Sequence, residues 1–314
     1  MLKFTDKSIW NGRFDDEDGE LGLRIHQKVE LKNFNDSTIN TKPNIAFLGF
    51  CSDEGVKRNK GRIGAKNAPD ILRKTLANLP YNVETKKSIF DFGNIVLEED
   101  NLEKARKEQI ECVADLLRKN YFPIVLGGGH ETALGNFLGL AEHHENIGII
   151  NIDAHFDLRI PVEKSTSGTP FYEMAHYCQQ NDRKFHYFAI GIQKTGNTAA
   201  LFSRAHELQV ETVLADEVHI DLNFSLRKVE DYIQKFDAIY LSLDLDVLDA
   251  AFAPGVSAPS ANGLRTFQVK SIIQTVIQSG KLKLFDVVEL NPEYDIDNRT
   301  AKVAAHLISE FLER

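Results

Sequence analysis

IGIINIDAHFDLR, residues 147–159, joins an apolar run to two aspartates, a histidine and an arginine. A buried strand that ends in charge is expected in a parallel sheet, whose ligands gather at the carboxyl ends of the strands. The same rhythm recurs along the chain. NIAFLGF (44–50), SIFDFG (88–93), FPIVLGG (122–128), FHYFAIG (185–191), ETVLA (211–215), DAIYLSL (237–243) and LFDVVEL (284–290) are short runs rich in Val, Ile and Phe. Stretches of helical spacing, such as EKARKEQIECVADLLRKN, separate them. This alternation predicts about eight strands in one α/β domain. Periodicity leaves an open doubly wound sheet and a closed barrel both in play, and both place ligands at the same strand ends. Residues 1–43 are polar, acid-rich and weakly periodic, and read as an N-terminal arm on a single catalytic domain spanning 1–314. Irregular segments at 51–64, 158–184 and 249–265 read as loops that build a site.

Composition narrows the function. The formal net charge of -9 opposes general nucleic-acid binding, which needs a basic face to displace counterions from phosphate. No apolar run approaches the length of a membrane span, and the N-terminus lacks a basic-then-apolar order, so a cytoplasmic protein is expected. Cys51, Cys112 and Cys178 are odd in number, widely spaced and without CxxC, and read as reduced thiols. The partner these features suit is a small molecule, and they are compatible with a homo-oligomer.

Three strand ends carry ligand types. In NIDAHFD, Asp153, His155 and Asp157 are spaced by two, so a chain that stays extended past Ile152 projects all three to one face. In YLSLDLDVLD, Asp244 and Asp246 repeat the spacing, with Leu243, Leu245 and Val247 on the other face. In FPIVLGGGHE, His130 follows a glycine turn that has neither GxGxxG nor a P-loop ending. A single DxD or DxH is usually a solvated strand end. Two imidazoles and four aspartates at three strand ends instead balance two divalent cations, and oxygen-rich ligation without thiolates suits Mn²⁺. Such cations lower the pKa of bound water enough to give hydroxide at neutral pH.

GGGHE, DAHFD and SLDLDVLD, in that order, resemble the arginase and agmatinase family of binuclear manganese ureohydrolases over roughly residues 44–310. The resemblance implies a three-layer α/β/α sandwich around an eight-stranded parallel sheet. It implies two Mn²⁺ per chain, one on His130, Asp153, Asp157 and Asp244, the other on Asp153, His155, Asp244 and Asp246. Glu289, in VVELNP, matches the glutamate that pairs with the substrate's guanidinium or amidine group.

Two departures from arginases point to one branch. Where arginases carry a proton-relaying histidine after a Ser-Gly, the loop STSGTPFYEM places Phe171, which leaves proton transfer to metal-bound water through Asp157 or to another residue that the sequence does not identify. Arg159 replaces an asparagine near the substrate carboxylate and offers a fork for an acid group. With GGGHE, FLGFCSDEGVKRNKGRIGAKNAP, GIQKTGNTAALF and ELNPEYDIDNRTAKVAA, the chain is similar to the branch of this family that hydrolyses N-formimidoyl-L-glutamate in histidine degradation. Its substrate would engage Glu289 and Arg159, with Arg58, Arg62, Asn197 and Thr198 as further candidates. Asn197 and Thr198 can equally cap the helix that follows. The rivals are agmatinase, arginase or guanidino-acid hydrolase activity, or a non-catalytic metal-binding subunit.

Overall fold

The computed structural model describes residues 1–82, 84 and 87–312. Ten strands form one sheet: β1 (Leu2–Lys3), β2 (Val29–Leu31), β3 (Asn44–Cys51), β4 (Ile89–Val96), β5 (Tyr121–Gly127), β6 (Ile147–Ile152), β7 (Tyr187–Ile192), β8 (Glu211–Leu214), β9 (Ala238–Asp244) and β10 (Leu282–Val288). The order is β1-β4-β3-β5-β10-β9-β6-β7-β8, with β2 also on β4, so the sheet is open and the barrel alternative is excluded. The eight strands read from the sequence are β3 to β10, all parallel to one another. Two more come from the first 43 residues. β1 runs antiparallel to β4 and β2 parallel to it, which occupies an edge that would otherwise offer unpaired N–H and C=O groups.

Alternation along each strand feeds two cores. On β3, Ile45 and Phe47 join the helices Ala68–Ala77, Leu222–Gln234, Thr266–Gln278 and Arg299–Leu312 on one face. Ala46, Leu48 and Phe50 join Leu102–Arg118, Thr132–Ala141, Pro170–Gln180 and Ala199–Glu207 on the other. These helices make the outer layers of a three-layer α/β/α sandwich. With both faces covered, β6 and β9 are buried along their whole length, which explains their nearly continuous apolar sequence. Among the described residues, no helix is long and apolar enough to cross a membrane.

Strand order positions the site. The chain leaves β5, skips two places to lay down β6, and later fills the gap with β9 and β10. The carboxyl ends of β5, β10, β9 and β6 therefore lie side by side. Register finishes the alignment: Val288 pairs with Asp244, and Ile152 with Leu243. Asp153 thus emerges beside Asp244, and Glu289 one residue beyond its partner strand.

A buried ion pair fastens the β4 side. Arg73, fully buried on helix Ala68–Ala77, donates from Nε and Nη2 to the two oxygens of Asp91 on β4, both at 2.8 Å. Its remaining donors reach Asn94 Oδ1 at 2.6 Å and the Gly93 carbonyl at 2.9 Å. Trp10 Nε1, from the N-terminal segment, donates to the same Asp91 at 2.6 Å. Removing one partner of such a pair strands a charge in the core. Arg73→Met should therefore cost about 3–5 kcal/mol in denaturant unfolding, or prevent soluble folding; a loss under about 1 kcal/mol would show that the pair carries little.

Candidate active site

His130, Asp153, Asp157 and Asp244 bring one ligand atom each to within 4.8 Å of one another, and so do Asp153, His155 and Asp246. All six residues named in the sequence converge. They do so by turns, not by the extended alternation the spacing suggested. The strand stops at Ile152, and Asp157 takes a left-handed φ of 47°. Asp153 Oδ1 accepts from the His155 N–H at 2.7 Å, and Asp244 Oδ1 from the Asp246 N–H at 2.8 Å. A carboxylate that caps the amide two residues on bends the chain back on itself. Asp246 accordingly sits in the 3₁₀ turn Leu245–Val247. Asp153 belongs to both groups, whereas Asp244 is found only in the first.

His130 shows what the cluster is built to hold. Its Nδ1 lies 3.3, 2.9 and 3.1 Å from carboxylate oxygens of Asp153, Asp157 and Asp244, yet none meets the directional requirement of a hydrogen bond. Its Nε2 lies 3.0 Å from Ser242 Oγ, and that hydroxyl donates its one proton to Asp286 Oδ1 at 2.6 Å. Nε2 must then carry a proton and donate it. Asn136 Nδ2 at 2.7 Å and the Tyr240 hydroxyl hold the other oxygen of Asp286. This chain fixes the ring with Nδ1 toward the carboxylates, as a histidine is fixed to ligate a metal. A buried lone pair facing three carboxylates is repulsive unless a cation lies between them. The unpaired Asp246 Oδ1 repeats the pattern in the second group, so the donor set fits divalent cations.

The electrostatics agree. Burial, then neighbouring carboxylates, raises Asp157, Asp244 and Asp246 above the usual range. His155 is pushed up to about 12, chiefly by Asp246. Burial alone would depress His130, but Asp153, Asp157 and Asp244 raise it well above its ordinary value. With no metal, the cluster makes up its missing positive charge with protons.

The floor continues into Glu289, 5% exposed, whose Oε1 accepts the His130 N–H at 2.9 Å. Burial, then repulsion from Glu131, pushes Glu289 up to about 8. Glu131 itself is a residue the sequence reading missed. Its Oε1 takes the Ser52 hydroxyl at 2.6 Å and the Gly55 N–H at 2.9 Å, tying the loop after β3 to the ligand-bearing turn after β5. The glycines of GGGHE make room for this: a Cβ at Gly129 would strike Glu131, and one at Gly128 the Ser52 carbonyl. A glutamate following the histidine in a glycine-rich turn was the available signal.

A cleft of about 340 Å³ is lined by His155, Asp157, Asp244, Asp246 and Glu289, with Lys60, Arg62 and Arg159 among the residues facing them. Arg159 is exposed, and its guanidinium has no hydrogen bond or ion pair among the described residues. Arg62 lines the cleft but is engaged, donating to the Ser257 and Val256 carbonyls at 3.0 and 2.5 Å and stacking over Tyr294. Arg58 is not brought to this cleft. It pairs with Glu54 and Glu103 at 3.0 and 2.8 Å and lines a neighbouring cavity. Asn197 braces the ligand loop: Nδ2 donates to the Ala154 and Gln193 carbonyls, and Oδ1 accepts from the Phe156 N–H. Thr198 is the N-cap residue of helix Ala199–Glu207, without a side-chain cap bond. Phe171 is fully buried, stacked on Tyr187 and edge-on to His130, and from its loop it is Ser167 that faces the cleft. Phe171 brings no ionisable group to that position.

Known proteins share this sequence and fold. Residues 43–313 match the arginase family. A protein of Aeromonas hydrophila named formimidoylglutamase is 44% identical over 319 residues, covering all of both chains. A Trypanosoma cruzi formiminoglutamase structure with Mn²⁺ superposes with a TM-score of 0.78 at 26% identity, covering 90% of this chain and 97% of that one. The fold also matches a Bacillus subtilis formimidoylglutamase structure, with a TM-score of 0.82 at 22% identity over 93% of this chain and 91% of that one. The match over nearly the whole chain, together with full-length identity to a relative, shows that the chain belongs to the arginase family.

Proposed function

We propose that this chain hydrolyses N-formimidoyl-L-glutamate to L-glutamate and formamide, using two Mn²⁺ ions held by His130, Asp153, Asp157, Asp244, His155 and Asp246. One observation carries the reading: a single cleft joins the His/Asp cluster and Glu289 on its floor to the unpaired Arg159. An amidinium with an acid tail matches both ends. The 44% identity to a protein named formimidoylglutamase supports the same substrate. Agmatine, which has no carboxylate, would set its ammonium against Arg159.

When bound, the cations supply Lewis-acid charge and a hydroxide nucleophile at neutral pH. The side chains do the rest. Glu289 spends Oε1 on the His130 N–H, leaving its second oxygen for the amidine N–H groups and so orienting the carbon under attack. Asp157 is 15% exposed where Asp153, Asp244 and Asp246 are 0%, 3% and 6%, so it is the most accessible of the ligand carboxyls. It takes up a proton and passes it to the departing nitrogen. Arg159 holds a carboxylate of the glutamate. The enzyme works in the cytoplasm, where three unpaired cysteines suit reducing conditions. Its single catalytic unit includes residues 1–43 as an arm along β4.

Mn²⁺-loaded protein given N-formimidoyl-L-glutamate, agmatine and L-arginine separately should release formamide from the first and no urea from the others; urea release would overturn the substrate assignment. Because Asp153 serves both groups, Asp153→Ala should lose metal from both. Elemental analysis should find under about a fifth of the wild-type manganese, and turnover should fall by at least about a thousandfold. Retention of one full equivalent would remove its bridging role. Chelation should lower Tm and Mn²⁺ should restore it in a concentration-dependent way, because a cation that binds only the native state stabilises it. An unchanged Tm would show that the cluster does not depend on a cation.

A further inference from the structure

The cations lining the cleft and the cavity beside it divide into those already engaged and those left free. Arg58 is held by Glu54 and Glu103, Arg62 by two carbonyls and Tyr294, and Arg204 by the Leu158 carbonyl at 2.6 Å. Lys60 and Arg159 are exposed and have no side-chain partner among the described residues. Both line the catalytic cleft and also the adjoining cavity of about 680 Å³. Lys60 follows helix Glu54–Arg58 with a left-handed φ of 63°, its N–H donating to the Lys57 carbonyl at 3.0 Å. It thus sits on the loop that Glu131 ties to the metal-ligand turn. Lys164, the other unpaired base, lines the outer cavity alone.

We propose that Lys60 and Arg159 form a two-cation clamp that makes a dicarboxylate tail a requirement for the substrate. This rests on the amidine-hydrolase reading above and goes beyond it, since one arginine accounts for one carboxylate. Charges balance only with both. The four aspartates offset two divalent cations and Glu289 offsets the amidinium, so two free cations remain for two carboxylates. A carboxylate that enters the cleft without a cation would lose its hydration and gain no opposite charge in return. The guanidinium takes one acid group as a planar fork, and the flexible ammonium follows the other.

The test compares wild type, Lys60→Gln, Arg159→Gln and, as control, Lys164→Gln, all loaded with Mn²⁺. Substrates are N-formimidoyl-L-glutamate and the two analogues that lack either the α- or the γ-carboxylate. Each clamp variant should raise KM for the full substrate roughly tenfold to a hundredfold, with kcat changed by less than about threefold. Each should have no effect on one analogue, a different one for each variant, and Lys164→Gln should change nothing. A Lys60→Gln effect that is equal on all three substrates, or absent, overturns the clamp. Binding gives a second readout. By calorimetry, wild type should prefer glutarate over butyrate roughly tenfold, and Lys60→Gln should abolish the preference. If that preference is present and then lost while wild type releases no formamide, the substrate reading fails and the clamp stands. If wild type turns over N-formimidoyl-L-glutamate but binds the two acids equally, the clamp fails and the substrate reading stands.

Discussion

Four carboxylates and two imidazoles cannot share one buried pocket in their charged and neutral forms unless something positive lies among them. Much of the rest of the structure follows from that constraint. It explains why β5, β10, β9 and β6 must lie adjacent, since the ligands come from chain segments that are far apart in sequence. It also explains why the polar residues within the apolar strands sit where they do. Ser242 and Asp286 pair across β9 and β10 and turn His130 so that a ring nitrogen, not a carbon, faces the aspartates.

The sheet was legible because each strand buried on both faces is a short, nearly continuous apolar run, and the ligands because His and Asp stood where such runs end. Other features left fainter traces. β1 and β2 are two and three residues long, and they are strands because β4 presents an open edge to them. No local pattern states that. The two-residue spacing of the aspartates suggested an extended chain, whereas Asp153 and Asp244 each cap the amide two residues on, and the convergence comes from turns. Asp286 within LFDVV and Ser242 within YLSL were visible as polar residues in apolar runs. Their purpose needed the register between strands. Asn197 and Arg58 looked free in sequence because their partners, the carbonyls of 154 and 193 and the carboxylates of Glu54 and Glu103, are assigned only by folding.

Charge is graded along the cleft. Acid groups that bind cations line the floor, neutral serines such as Ser167 and Ser257 flank it, and Lys60 and Arg159 stand where it meets the outer cavity. A molecule with a cationic head and an acid tail is turned the right way round before it touches anything, since the opposite orientation meets like charge at both ends.

The Glu131 carboxylate, shared between the Ser52 hydroxyl and the Gly55 amide while its own backbone continues from His130, makes two loops behave as one body. On the proposed function, a metal at the turn after β5 and a substrate at the loop after β3 act on one body, and linkage requires each to change the other's affinity by the same factor. Where that coupling is positive, scarcity of the metal costs least activity where substrate is abundant.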